Sequence, residues 1–70
     1  MATVRFDLEG EYVELNQLLK LVGLCGSGGI GKQIVASGAV SVDGRQELRK
    51  TAKIRAGQAV CVDDVTITVV

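Results

Sequence analysis

The sequence contains no histidine and only two cysteines, Cys25 and Cys61. Thiolate and imidazole ligands therefore cannot fill a four-coordinate zinc site. Histidine-based triads and imidazole acid–base catalysis are excluded too. We expect no metal and no cofactor. One disulfide could form, but a chain without a leader more often keeps its thiols reduced, so we interpret both cysteines as small apolar filling residues.

Aromatic residues are also scarce. Tryptophan is absent, and Phe6 and Tyr12 are the only aromatic side chains. Neither lies in the glycine-rich or the basic part of the sequence. A platform that stacks several nucleobases is therefore not expected.

Long hydrophobic runs are missing, since none approaches the ~20 residues that span a bilayer. The sequence begins with an acidic segment rather than with the basic and apolar segments of a targeting peptide. Its 70 residues, 47% of them hydrophobic, fit one folded domain over residues 1–70. We expect a cytoplasmic monomer with no membrane partner and no small-molecule substrate.

The net charge is zero, but it is unevenly distributed. Residues 20–55 carry seven basic side chains against two acidic ones, and most of these basic residues lie within residues 45–55. A neutral protein with such a segment can still present a positive face to a polyanion. The simpler interpretation of the same charges is a solvated surface.

Two helices are predicted between residues 13 and 38. Gly23 suits the end of the first helix, and Ser27 and Gly38 suit the two ends of the second. Glycines at positions 28, 29 and 31 weaken the second helix by up to about 1 kcal/mol each relative to alanine. Packing on the first helix must therefore hold its first turn. The predicted buried positions are Leu15, Leu18, Leu19 and Val22 in the first helix and Ile30, Ile34 and Val35 in the second.

Strand patterns flank these helices. Asp43-Gly44 and Asp63-Asp64 are predicted hairpin turns, and Leu48 and Ile54 are candidate buried residues in the polar 45–55 segment. The order of elements predicts an α+β fold: two short packed helices followed by a small, mostly antiparallel sheet, with a candidate N-terminal strand. The predicted strands are Thr3–Phe6, Ala39–Val42, Gln58–Val62 and Val65–Val70.

The glycine-rich stretch from Gly26 to Lys32 reads GxxxxGK, close to a nucleotide-binding P-loop. Such a loop follows a strand and needs serine or threonine next to bind magnesium. Here Gln33 stands at that position and the preceding segment has helical periodicity. We therefore interpret the stretch as the flexible start of a helix and expect no enzyme activity. Asp63 and Asp64 are adjacent acids on a turn, which are usually only solvated.

The segment from Ser27 to Gly44, SGGIGKQIVASGAVSVDG, resembles the alpha-L RNA-binding motif. This is the fold of the RNA-binding domain of small-subunit ribosomal protein four. The family pattern runs from a serine-initiated helix through a Val-x-Val strand to an Asn-Gly turn, where this chain has Asp43. Residues 13–24 are similar to the family's first helix, and residues 47–60 are similar to its stand-alone YbcJ-type subgroup. The resemblance covers about residues 12–62.

The resemblance implies a non-catalytic protein that binds structured RNA, with ribosomal RNA as one candidate, through the second helix and the adjacent hairpin. Three departures, Gly28, Gln33 and Ala36, stand where relatives are often basic, so more of the binding is expected from residues 45–55. Which RNA is bound stays open. The implied RNA-binding residues are Ser27, Lys32, Gln33, Arg45, Arg49, Lys50, Lys53 and Arg55.

A second hypothesis is protein–protein interaction. The strand predicted over Val65–Val70 could be an exposed sheet edge that pairs with a partner or with a second copy of the chain. This hypothesis does not exclude RNA binding.

Overall fold

The computed structural model describes residues 2–70, which form two helices, a five-stranded sheet and a two-stranded sheet. The predicted α+β fold, with its N-terminal strand and mostly antiparallel main sheet, is confirmed. In chain order the elements are β1 (Ala2–Phe6), β2 (Val13–Glu14), α1 (Leu15–Leu21), α2 (Gly28–Ala36), β3 (Val40–Val42), β4 (Arg45–Gln46), β5 (Lys53–Ile54), β6 (Ala59–Val62) and β7 (Val65–Val69).

The main sheet has the strand order β1-β7-β6-β3-β4, and the small sheet pairs β2 with β5. Neighbouring strands are antiparallel except β1 and β7, which run parallel with Ala2 beside Val65 and Phe6 beside Val69. Side chains alternate along each strand, so one face of the main sheet is buried against the helices. The fully or almost fully buried apolar residues are Leu15, Leu18, Leu19, Val35, Val40, Ala52, Ile54, Val60, Val62, Ile67 and Val69.

The last strand is an interior strand, so the prediction of an exposed edge over Val65–Val70 is wrong. β1 occupies the side of β7 that was expected to be free: the Ala2 N–H donates to the Asp64 carbonyl at 2.9 Å, and the Val70 N–H donates to the Phe6 carbonyl at 3.0 Å. With both sides of β7 paired, the pairing of another chain with this strand has no structural basis. The edges of the main sheet are β1 and β4.

Helix α1 follows the predicted pattern. Leu15, Leu18 and Leu19 are fully buried, and Val22, half-buried, is the C-cap residue. Gly23 then takes a φ of +84°, the left-handed conformation that a glycine adopts at little cost after a helix.

Helix α2 buries the predicted Val35 and, in part, Ile34, but not Ile30. Gly31 and Val35, four residues apart, are buried, and Ile34 is half-buried. Ile30 is 47% exposed, so its predicted burial is wrong. Because α2 turns the small Gly31 toward α1, the branched Ile30 lies outside the contact.

Both predicted hairpin turns are confirmed. In the first, Asp43 and Gly44 have φ values of 51° and 83°, as a two-residue turn with both central residues left-handed requires. It joins β3 to β4 with Val42 opposite Arg45. The second turn, with Asp63 at a φ of 54°, joins β6 to β7.

Residues 45–55, called here the basic segment, contain two short strands, β4 and β5. Ile54 is buried as predicted, because β5 pairs with β2 and places it opposite Val13. Leu48 is 54% exposed, so its predicted burial is wrong. Ala52 is buried in its place, since it lies where the chain crosses the start of α1.

The two cysteines are free thiols, and both are half-buried. Cys25 packs against the core, as expected of a small filling residue. Within residues 2–70, neither helix has the length and apolar character needed to cross a bilayer. The same residues hold no group of three or more cysteine, aspartate or glutamate side chains placed to bind a metal ion.

Candidate nucleic-acid interface

The first turn of α2 is capped by Ser27. Its backbone is extended, and its Oγ accepts a hydrogen bond from the Ile30 N–H at 3.2 Å. The N–H groups that begin a helix have no partner within the helix, and they point outward together with the positive end of the helix dipole. The predicted N-cap is therefore confirmed, and the exposed Gly29 lies in this first turn.

Two of the three glycines in this turn make helix–helix contact. A Cβ atom at Gly31 would lie 2.5 Å from the Asn16 carbonyl oxygen, and one at Gly28 would lie 2.8 Å from the Gln17 side-chain nitrogen. At Gly29 the nearest such neighbour is the Ser27 Oγ at 3.8 Å. The prediction that packing on the first helix holds this turn is confirmed, and only Gly29 stays open toward solvent.

Asn16 connects the start of α2 with the basic segment. Its side-chain amide donates to the Gly28 carbonyl at 3.4 Å, and its backbone N–H donates to the Lys50 carbonyl at 3.1 Å. The Leu15 N–H donates to the Ala52 carbonyl at 2.9 Å. The basic segment thus caps α1 with its carbonyl groups, in place of a side-chain cap from the N-cap residue of α1. This contact brings Lys50 and the first turn of α2 to the same residue.

Arg49 is held by Glu47. Its Nε and Nη2 donate to the two oxygens of the Glu47 carboxylate at 3.0 Å and 2.9 Å, and its backbone N–H donates to the same group at 3.1 Å. These hydrogen bonds, those from the Arg49 side chain above all, lower the pKa of Glu47 from 4.5 to about 2. The same pairing raises the pKa of Arg49. Arg49 is exposed, but its guanidinium is already paired with the Glu47 carboxylate within the protein.

A depression of about 390 Å³ lies in the basic segment, lined by Arg49, Thr51, Ala52 and Lys53. One of its four lining residues, Ala52, is buried, and two are cationic. The two positive charges suit an anionic group.

The Tyr12 ring lies beside the charged ends of Lys53 and Arg55. The Lys53 Nζ is 5.0 Å from the centre of the Tyr12 ring, and the Arg55 guanidinium carbon is 5.9 Å from it. The pairing of β2 with β5 produces this contact, because Val13 stands opposite Ile54 and the residues beside them meet. Tyr12 is remote from the basic segment in sequence, but its ring lies next to that segment in the folded chain.

The remaining predicted residues lie around this centre. Lys32 and Gln33 are exposed on α2, and no hydrogen bond or ion pair in residues 2–70 joins their side chains to the basic segment. Arg45 lies directly after the first hairpin turn. The Gln58 side chain links that turn to Arg55. Gln58 accepts from the Arg55 N–H at 2.7 Å and donates to Asp43 at 3.2 Å.

The GxxxxGK stretch does not form a phosphate-wrapping loop. Residues 28–32 are already helical, whereas a P-loop keeps this stretch as an open turn before its helix. The segment that precedes it is α1 and its C-terminal turn, in place of a strand. The interpretation as a helix start is confirmed.

Sequence reasoning missed Asn16, Tyr12 and Gln58. Asn16 is a polar residue buried beside the leucines of α1, and its burial to 2% exposure could not be seen in the apolar pattern. The only available signal for Tyr12 was the β-strand tendency of residues 12–14, which would have suggested a partner strand. Gln58 gave no signal.

The comparisons with known proteins agree with this fold. YbcJ from Escherichia coli (strain K12), a protein proposed to bind RNA, is 53% identical over 49 residues, which cover 70% of each chain. YbcJ from Shigella flexneri, an uncharacterized protein, gives the same values. The solution structure of YbcJ from E. coli, described as revealing an alpha-L motif involved in RNA binding, matches all of this chain and 87% of that chain, with a TM-score of 0.70 and 44% identity. A sequence model of the S4 domain matches residues 6–70, and the chain therefore belongs to the S4 domain family.

Proposed function

We propose that this chain is a non-catalytic protein that binds structured RNA through contacts to its phosphates and shape. The observation that carries the proposal is the double contact of Asn16, which holds the start of α2 and the carbonyl of Lys50 on one residue. Outward-pointing N–H groups and lysines next to one another form a surface for phosphates. Membership of the S4 domain family and the likeness to YbcJ support the same function.

The proposed contacts fall into three groups. Ser27 keeps the first turn of α2 in place, and Lys32 and Gln33 extend this surface along the helix. Lys50, Lys53 and Arg55 supply the charges that no ion pair within residues 2–70 engages. Arg45 and Arg49 flank them, with Arg49 already bound to Glu47. Such contacts recognise the backbone of folded RNA and do not need base-by-base recognition.

The finer parts of the proposal concern the target and the setting. We propose ribosomal RNA as the target class, a ribosome-associated role in the cytoplasm, and a monomeric protein. Two features support a binding function over a catalytic one. The chain has no histidine for acid–base catalysis, and its adjacent acids, Asp63 and Asp64, lie on a turn, where such residues are usually only solvated.

The test is an NMR titration of the isotope-labelled protein with a structured ribosomal RNA fragment at two salt concentrations. We expect amide shifts over Ser27–Gln33 and Arg45–Arg55 that weaken as salt rises, because phosphate contacts release counterions. A DNA hairpin of the same sequence is the control, since it lacks the 2′-hydroxyls and the A-form shape. Absence of shifts at low salt, with this fragment and then with total RNA, would overturn the proposal.

A further inference from the structure

We propose that Tyr12 stacks on one unpaired nucleobase of the bound RNA, while Lys53 and Arg55 bind the phosphate beside that base. The inference rests on the proposed RNA binding and adds to it a base contact. It also specifies the kind of RNA: a helical element with at least one nucleotide out of the stack.

The Tyr12 ring is both accessible and held in place. It is 42% exposed and lies outside the buried core. The neighbouring pair, Val13 and Ile54, ties β2 to β5, and Ile54 is only 1% exposed. Arg55 is restrained by its N–H bond to Gln58 at 2.7 Å and by a bond from its guanidinium to the Glu11 carbonyl at 3.5 Å. A ring directly before a paired strand offers a surface that needs little ordering when a ligand binds.

The chemistry around the ring matches one nucleotide. A nucleotide carries a planar aromatic base next to an anionic phosphate, and this cluster carries a planar ring within 5.0 Å of one cation and 5.9 Å of another. Charge-assisted hydrogen bonds to phosphate are stronger than a cation–π contact at an exposed site. The two cations can therefore turn to the phosphate and leave the ring to the base.

Adjacent space allows the RNA strand to continue. Lys53 is shared between the ring contact and the depression of about 390 Å³ that also involves Arg49. Phe6, the other aromatic residue, packs against the core. The site therefore takes a single base, in agreement with the expectation that no multi-base platform exists.

The test compares two RNA hairpins with the same stem, one fully paired and one with a single bulged 2-aminopurine. Stacking of one base on an aromatic residue predicts that Tyr12→Leu lowers the affinity for the bulged hairpin by about 5- to 150-fold. The affinity for the paired hairpin stays the same. Tyr12→Phe keeps the ring and should bind like the unsubstituted chain. In the unsubstituted protein, the 2-aminopurine fluorescence should be quenched on binding.

The two proposals fail in different ways. If the unsubstituted chain binds both hairpins equally, without quenching, and Tyr12→Leu changes neither affinity, the stacking inference is overturned while RNA binding stands. Equal losses for both hairpins in Tyr12→Leu, with no quenching, would also overturn it, as a purely structural role. If the unsubstituted chain binds neither hairpin at low salt, RNA binding fails and the stacking inference fails with it.

Discussion

Gly31 touches the backbone of Asn16 so closely that a Cβ atom at Gly31 would lie 2.5 Å from the Asn16 carbonyl oxygen. Real Cβ atoms do not approach a backbone oxygen to this distance, so only glycine allows α2 to pack here. The backbone N–H of the same Asn16 donates a hydrogen bond to the Lys50 carbonyl in the basic segment. The spacing of the two helices thus also sets where the proposed RNA-binding residues stand.

Gly31→Ala should therefore destabilise the protein, although alanine favours a helix. Overpacking costs about 1–3 kcal/mol, and the helix gains about 1 kcal/mol, so we expect a net loss of up to roughly 2 kcal/mol in the free energy of unfolding. Gly29→Ala is the matched control, since its Cβ would meet only the Ser27 Oγ at 3.8 Å. It should gain about 0.5–1 kcal/mol. Urea unfolding measures both, and equal stability of the two variants would contradict the close contact.

Lys50→Ala and Lys53→Ala should each weaken RNA binding to a similar degree across RNA sequences. Each phosphate contact that is lost should reduce the slope of log affinity against log salt by roughly 0.7–0.9. Arg5→Ala is the control, because Arg5 lies on the edge strand β1 and is bound to Asp7 at 3.1 Å. Binding titrations over a salt series measure the affinity and its slope for each variant. Unchanged affinity and slope in both lysine variants would contradict the assignment of Lys50 and Lys53 to the RNA interface.

Asp43→Asn should destabilise the first hairpin, although asparagine is the usual residue at this turn in the family. The two Asp43 carboxylate oxygens accept from the Ala59 N–H at 3.0 Å and from the Gln58 amide at 3.2 Å, and these hydrogen bonds lower the pKa of Asp43. Asparagine has one acceptor oxygen, and a flipped Gln58 would lose its bond to the Arg55 N–H. The variant should therefore unfold at a lower urea concentration at neutral pH.

Asp63→Asn is the matched control for that experiment. Asp63 has the same left-handed backbone, with a φ of 54°, and no side-chain hydrogen bond of Asp63 is present in residues 2–70. Asparagine tolerates this conformation well, so the midpoint should not fall. Equal midpoints for both variants would mean that the Asp43 carboxylate contributes nothing to stability.

Glu47 should make the free energy of unfolding depend on pH in the acidic range. Its folded pKa is lowered from 4.5 to about 2 by its hydrogen bonds with Arg49. A lowered pKa contributes stability that is fully present above about pH 4.5 and is lost as the pH falls toward about 2. The difference in unfolding free energy between the unsubstituted chain and Glu47→Gln should be constant above this window and shrink within it. A difference that does not change with pH would contradict the pairing.

Local signals predicted the local structure well. The leucine spacing of α1, the Ser27 cap and the two aspartate turns each depend on residues close together in the chain, and the structure confirms them. The failures concern distant contacts. Ile30 and Leu48 are apolar residues that the structure leaves exposed, because Gly31 and Ala52 occupy the contacts instead.

The candidate site was predicted as a set of residues, six cations together with Ser27 and Gln33, without the contacts that join them. Charge density identified the basic segment, but nothing local indicated that Asn16 would join it to α2. The contact of Tyr12 with Lys53 depends on the pairing of β2 with β5, which links residues about 40 positions apart. Such pairings are chosen by the whole fold, and two-residue strands leave almost no pattern in the sequence.

The parallel pairing of β1 with β7 has a consequence for how the chain folds. Residues 2–6 find their only strand partner among residues 65–69, so the main sheet cannot be completed before both segments are present. Contacts between segments this far apart slow folding, because a long loop must close before they form. During synthesis, β1 is made before the helices and β7 after them, so the helices that position the candidate site can pack before β1 pairs with β7.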